Sequence, residues 1–430
     1  MELKLPEPRA IAEPVEAANT LTIQPASRLF TNSLAMGGAN LVIRGLGYLN
    51  IIFLARRLDA RYVGTYALLV TASMLVDLVS SLGLDKLLIR EIASNPISYG
   101  KGYFRAALSI RFATAVLSAS GAWILLLLFF KNQLLASPIS SAIFLTAIFP
   151  IVAARNCEAF LTAHERLLPV AASQVSERLV GLGAVLLLFF GALGFAGFLC
   201  AAPLAALARL GIVAWFTGKL WQPKVASRRP HMPGMIRRAT ELFSVEILAL
   251  VYFRSDVFLL AKIGGLRETG VYQITYKIFE CCLSLFTGFI QAVFPRLVRD
   301  RSRRSLQAML AAGTGLLAIP VVIIILGRRL ILGGIKPEYL AGSTSLVWLM
   351  LTVPLVYINT MVANAAIAAN RVRILIWTAS VLIAANVGLN LILIPRWSIN
   401  GAAFSTFACE IFSSAILLPL VWKRLAGSTE

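Results

Sequence analysis

Apolar runs long enough to cross a bilayer alternate along the chain with short polar breaks. About 20 apolar residues span the hydrocarbon of a membrane. By that measure the pattern predicts helices at 34–55, 62–84, 105–130, 138–162, 168–190 and 195–217, then at 241–263, 270–294, 306–327, 344–368, 374–395 and 400–422. The expectation is an all-α integral membrane protein of 12 transmembrane helices in two six-helix bundles. Residues 1–27, with Pro6, Pro8, Pro14 and Pro25 and no apolar run, are expected to form a disordered cytoplasmic tail rather than a signal peptide or a span. The N-terminal bundle is then 28–217, a basic cytoplasmic linker is 218–240, the C-terminal bundle is 241–425 and a short tail is 426–430.

The two halves carry traces of one another. Leu54-Ala55-Arg56 followed by Gly64-Thr65-Tyr66 returns as Leu260-Ala261-Lys262 followed by Gly270-Val271-Tyr272, with Arg61 and Arg267 at the same offset of 206. Further on, Ala163 and Arg166 match Ala368 and Arg371 at 205, and Gly197 matches Gly401 at 204. Internal duplication in an apolar chain marks secondary transporters, whose sites lie between the repeats. Six spans per repeat bring both copies into the membrane in the same direction, so a pseudo-two-fold axis along the membrane normal should relate the bundles.

Composition agrees with a membrane protein: 58% of residues are hydrophobic and 14% charged, with a mean hydropathy of +0.80. The net charge of +20 is read as a membrane-surface and anionic-substrate signal, not a nucleic-acid one, because the charges interrupt apolar spans. Basic residues concentrate in the loops that share a side with both termini, above all in the linker at Lys219, Lys224, Arg228, Arg229, Arg237 and Arg238. The positive-inside rule therefore places both termini in the cytoplasm. The five cysteines show neither disulfide nor metal spacing, and His164 and His231 fall in expected cytoplasmic loops.

Charges inside the spans are the candidate chemistry. Arg44, Arg111, Arg155, Arg178, Arg209, Arg254 and Lys277 face Asp77, Glu158, Glu177, Glu246, Asp256, Glu280 and Glu410 in number. Each costs about 2.5–3.5 kcal/mol at the centre of a lipid-facing helix, so they must pair or line a hydrated cavity. In the eighth span Gln273, Lys277, Glu280, Ser284, Thr287 and Gln291 recur at helical spacing and form one polar face. Asn40 and Arg44 share a face with Gly37, Gly47 and Tyr48 in the first span. Lys277 with Glu280 also suits a simple i, i+3 pair, and Arg155 with Glu158, nearer the cytoplasmic edge, suits a structural pair of the same kind.

The repeated blocks carry a family resemblance. Leu54-Ala55-Arg56-Arg57-Leu58, Gly64-Thr65-Tyr66, Leu82-Gly83-Leu84 and Arg90-Glu91, with Asp256, Leu259-Leu260, Thr269-Gly270-Val271-Tyr272 and Phe294-Pro295-Arg296, resemble the polysaccharide biosynthesis flippases. These are the O-antigen-type lipid-linked oligosaccharide translocases of the multidrug/oligosaccharidyl-lipid/polysaccharide exporter superfamily. The resemblance implies a transporter, not an enzyme, that moves an undecaprenyl-pyrophosphate-linked glycan across a bacterial inner membrane by alternating access, beside membrane lipids and polysaccharide polymerase machinery. Lipid II flippases of this superfamily usually have two further helices, for which the chain has no room.

Arginine's planar fork suits a pyrophosphate. Arg44, Arg178 and Arg254 are therefore the expected ligands of the headgroup phosphates and the stripe from Gln273 through Lys277 to Gln291 that of the sugars, with Asn40 as a further substrate-binding candidate. No cofactor or metal is expected. The membrane potential, a proton or a sodium ion can supply the energy, with Asp77, Asp256 or Glu280 as coupling carboxylates. The chain lacks the Gly-x4-Gly-Lys-Ser/Thr loop of a direct ATPase. Two rivals remain: a multidrug exporter of the same superfamily, whose cavity should be acidic and aromatic, and a membrane-embedded polysaccharide polymerase or glycosyltransferase, which should carry acidic or His groups on a large outer loop.

Overall fold

The computed structural model describes residues 26–94, 96–131, 133–221, 232–299, 303–368 and 372–426, and the described residues form helices and turns with no strand. Most of the expected N-terminal tail, the centre of the linker, His231 and residues 427–430 lie outside them. The first part holds α1 (Ala26–Arg57), α2 (Ala60–Ser81), α3 (Leu84–Ser94), α4 (Pro96–Phe130), α5 (Pro138–Thr146), α6 (Ile148–Ala163), α7 (Leu167–Phe189), α8 (Phe195–Cys200) and α9 (Ala202–Leu220). The second holds α10 (Met232–Ile263), α11 (Leu266–Arg299), α12 (Arg303–Ile335), α13 (Ser343–Ala368) and α14 (Val372–Ala426), with a 3₁₀ turn at Pro337–Gly342.

Local chemistry explains where these helices break. Leu82 and Gly83, both at positive φ, end α2, yet the loop expected to follow is the helix α3, whose Leu84, Leu87, Leu88 and Ile92 are buried. The fourth and sixth predicted spans are each two helices. The first of these pairs starts with Ser137, whose hydroxyl caps α5 by accepting from Ser140 N at 3.1 Å, with Pro138 in the first turn. The last two predicted spans run together as α14, broken at Ser398, where φ is 49° and ψ is −126°.

Nine stretches of the described residues are long and apolar enough to cross a membrane. One of them, Ile374–Leu420, has 47 residues, which at 1.5 Å per residue is about 70 Å, twice the hydrocarbon thickness. The break at Ser398 divides that length. The helices α10 and α11 are not among the nine; they carry Arg254 with Asp256 and Lys277 with Glu280 in their middles.

Helices α1–α9 pack mainly among themselves, as do α10–α14, and the two sets meet chiefly where α2 lies against α11. Repeated residues make that meeting. A Cβ on Gly64 would overlap the Leu266 carbonyl oxygen and the Gly270 nitrogen, and one on Gly270 would overlap the Ala60 carbonyl oxygen and the Gly64 nitrogen. The two backbones touch at equivalent glycines, the close approach that small residues allow in membranes. Buried Leu54, Val63, Leu260, Ala261, Leu266, Val271 and Leu332 surround the crossing in a single core cluster.

Polar latches close the same end. Arg56 Nη2 donates to the Gly334 carbonyl at 3.1 Å, and Lys262 Nζ to the Phe129 carbonyl at 3.2 Å while lying over the Phe129 and Phe130 rings. Arg56 and Lys262 are repeat equivalents, so each half grips the other in the same way. Lys336 adds an ion pair to Asp59 at 2.8 Å and one to Glu338 at 3.5 Å, and Glu338 Oε1 accepts from Ala60 N at 3.1 Å.

Candidate substrate cavity

About one turn below the glycine crossing, α1, α2, α7 and α11 enclose a cavity of about 450 Å³. Its wall holds Arg44, Gly47, Tyr48 and Asn50 from α1, Tyr66 and Val70 from α2, Arg178 from α7, and Gln273, Lys277 and Glu280 from α11. The α11 residues are the upper part of the polar face expected from spacing. A second cavity of about 360 Å³ shares Asn50, Tyr66, Val70 and Arg178, and extends past Asp77, Arg155, Glu177 and Arg209.

The span charges divide into two groups. Asp85 joins Arg111 at 2.6 Å and Arg155 at 3.0 Å, and Arg155 also holds Asp77 at 2.6 Å. Arg209 bridges Glu158 at 2.7 Å and Glu177 at 2.8 Å. Arg155 and Glu158 therefore do not pair with each other as their i, i+3 spacing suggested: each finds an interhelical partner, because an arginine between two carboxylates is better compensated than in a single pair. Glu246 reaches Lys86 at 2.7 Å. Arg254 Nη2 holds Glu280 at 2.8 Å, and Lys277 holds the other oxygen of the same carboxylate. Arg44 and Arg178 make no hydrogen bond or ion pair among the described residues, and both line the first cavity.

Among the described lining residues, the first cavity thus has three cations, Arg44, Arg178 and Lys277, and one carboxylate, Glu280. Cations and anions cancel over the spans as a whole but not here, because Asp77, Glu158, Glu177 and Glu246 are drawn into ion pairs elsewhere and Asp256 and Glu410 are buried against tyrosines away from this wall. Buried Gln273 Oε1 and Asn50 Oδ1 in the wall have no hydrogen-bond partner in the structure. Such a site is able to receive an anion with bidentate arginine contacts and to offer neighbouring polar groups to hydroxyls.

Other expected site residues fall elsewhere. Arg254 stands behind Glu280 and is not in the wall; Asn40 is exposed on α1. Asp77 belongs to the second cavity. Asp256 is 3% exposed, accepting from Tyr272 Oη and Val257 N, each at 2.7 Å. The side chains of Thr287 and Gln291 lie outside the described residues. Asn50 and Asp85 had escaped the reading of the sequence. Nothing in the local pattern distinguishes Asn50, whereas Asp85, just past the Gly83 turn, could have been found by asking what pairs with Arg111 and Arg155.

The chain matches the polysaccharide biosynthesis protein family over residues 29–301 and belongs to that family. It is a multi-pass membrane protein. Its fold is similar to that of a lipid II flippase MurJ in an inward closed conformation, with a TM-score of 0.73 and 14% identity over 90% of this chain and 87% of that one. It is also similar to an inward-facing multidrug resistance MATE family transporter of the MOP superfamily, with a TM-score of 0.70 and 12% identity over 89% and 95%. A MATE multidrug transporter, DinF-BH, gives a TM-score of 0.61 and 15% identity over 94% and 96%. No curated protein sequence matches the chain.

Proposed function

We propose that this protein is a flippase that carries an undecaprenyl-pyrophosphate-linked oligosaccharide, the precursor of a surface or exported polysaccharide, from the cytoplasmic to the outer leaflet of a bacterial inner membrane. The chain crosses twelve times as two six-helix bundles related about the membrane normal, with both termini in the cytoplasm. One observation carries the reading. Among seven cations expected within the spans, five are held by carboxylates, while Arg44 and Arg178, in the wall of a cavity between the repeats, make no ion pair among the described residues.

A sugar pyrophosphate cannot enter hydrocarbon without replacing its hydration. Arg44, Arg178 and Lys277 replace it at the phosphates, and Gln273 and Asn50 at hydroxyls, while the polyprenyl tail stays in lipid. The net positive wall disfavours the cationic cargo of a drug exporter. An inside-negative potential favours outward movement of the cargo by about 2.3 kcal/mol per charge per 100 mV. A proton or sodium ion acting through Asp77, Asp256 or Glu280 adds to that drive. Membrane lipids and the polysaccharide polymerase machinery are the partners.

The test is flipping of a fluorescent undecaprenyl-pyrophosphate oligosaccharide in proteoliposomes. The wild type should move it, and Arg44→Ala and Arg178→Ala should lower the rate at least tenfold while inserting normally. Unchanged rates in the double variant would overturn the assignment.

A further inference from the structure

A third hollow, of about 560 Å³, shares no lining residue with the two central cavities. It is a groove between α2 and α4, with Ala72 and Val79 on the first helix, Gly121, Leu125 and Phe129 on the second, and Phe258 of α10 completing the wall. On α2 it uses the face turned away from Tyr66, Val70 and Asp77, which look into the central cavities. Leu125 and Phe129 are 54% and 52% exposed, so the groove opens on the surface that lipid covers. A Cβ on Gly121 meets nothing within 4 Å, and protein leaves the space beside it unfilled.

Both the length of the groove and the charge at its end match one phospholipid. From Ser118 to Phe129 it follows α4 for about 16 Å at 1.5 Å per residue, against about 15 Å for the hydrocarbon of a single leaflet. It ends at a cation. Lys262, in the last turn of α10, is exposed and holds Nζ 5.5 Å from the Phe129 ring and 5.9 Å from the Phe130 ring. One of its three N–H groups goes to the Phe129 carbonyl at 3.2 Å, and no carboxylate pairs with it among the described residues. Lys131, directly after Phe130, is exposed as well. An apolar slot of leaflet depth that ends at cations without a counter-charge suits an acyl chain below an anionic headgroup.

We propose that this groove binds an anionic phospholipid of the surrounding bilayer, with an acyl chain between α2 and α4 and the phosphate on Lys262. Lipid elsewhere on the surface is held by apolar fit alone, whereas here the cation selects the headgroup. The bound lipid touches both halves, its chain on α2 and α4 and its headgroup on α10, and so ties them together at the end where Gly64 and Gly270 meet. The site does not depend on the flippase reading.

Native mass spectrometry of the full chain, titrated with phosphatidylglycerol and with phosphatidylcholine of identical acyl chains, tests it. The wild type should bind its first phosphatidylglycerol about fivefold more tightly, the gain that one lysine supplies beside an anionic headgroup. Lys262→Gln keeps a donor for the Phe129 carbonyl but loses the charge, and should remove the preference. Gly121→Leu fills the groove without striking protein and should remove it as well. Equal affinity for the two lipids in the wild type, or a preference that survives either substitution, would overturn the site. Undecaprenyl phosphate, added as competitor, should displace phosphatidylglycerol no better than phosphatidylglycerol itself does. Stronger displacement by the prenyl lipid, lost in both variants, would give the groove to a polyprenyl tail and overturn the assignment to a bilayer lipid.

Discussion

Gly64 and Gly270, equivalent residues of the two repeats, meet backbone to backbone, where a Cβ on Gly64 would strike the Leu266 carbonyl and one on Gly270 the Ala60 carbonyl. Two residues that the internal repeat pairs in sequence therefore meet in space. The crossing lies about one turn from the central cavity, and on the flippase reading the passage of cargo past it requires α2 and α11 to separate. Replacing either glycine by alanine forces two backbones apart, at about 1–3 kcal/mol for overpacking. The expected result is a shift away from the sealed state, read as reduced cross-linking of a cysteine pair placed at Asp59 and Lys336. Undiminished cross-linking in both variants would show that the crossing does not govern closure.

The latch around Lys336 should depend on pH in one direction. Partial burial disfavours its charge, but the bond to Asp59 and the nearby Glu338 outweigh that and raise the ammonium group above its ordinary value of 10.5. A raised lysine contributes stability that is complete below the unfolded value and is lost as pH climbs through the folded one. Closure should persist through neutral pH and weaken above about 10.5. Lys336→Ala should abolish this alkaline dependence in a distance measurement across the seal, made between spin labels at sites outside the latch. The contribution should also fall with added salt, because the pair is partly exposed.

Substitution should separate the arginines into two kinds. Arg209 is 13% exposed in its side chain and holds Glu158 and Glu177, so Arg209→Ala leaves two carboxylates without their cation. Breaking a buried ion pair from one side costs about 3–5 kcal/mol. Arg209→Ala should lower the thermal unfolding temperature markedly, whereas Arg44→Ala, which breaks no bond to a described residue, should leave it within a degree or two of wild type. Equal melting of the two variants would contradict the division between structural and cavity arginines.

How much of this was readable beforehand follows from the kind of signal. Apolar length fixed the helices well, because hydrocarbon thickness sets a minimum that few other constraints imitate. Helical spacing placed Gln273, Lys277 and Glu280 on one face, and they line one wall. Pairing was far less legible. Arg155 and Glu158 sit at ideal intrahelical spacing, yet each bonds to another helix, since periodicity reports the face of a residue and not what lies opposite. The same limit misplaced Arg254, whose depth is suitable but whose guanidinium faces Glu280. Helix breaks inside an apolar run, such as those at Ala147 and Ala201, depend on a residue or two and leave no trace in hydropathy, whereas the break at Ser398 falls in the gap between the last two predicted spans.

Glu280 offers the sharpest test of the cavity. It is the one carboxylate among the described lining residues of the first cavity, and it occupies Lys277 and Arg254 together. On the flippase reading proposed above, a pyrophosphate arriving between Arg44 and Lys277 has to compete with it, so that Glu280 would weaken binding and assist release. Glu280→Gln raises the net charge of the wall by one and frees Lys277. Interactions between charges about 4 Å apart remain worth about 1 kcal/mol even in water, enough for at least a fivefold gain in affinity for a fluorescent polyprenyl pyrophosphate. Turnover should fall at the same time, because tighter binding of the ground state slows departure without aiding the moving state. Tighter binding with slower flipping is the expected pair of results, measured by equilibrium titration and by proteoliposome flipping on the same preparation. Unchanged affinity would mean that Glu280 serves only to hold α10 against α11, and that the anion sits wholly on Arg44 and Arg178.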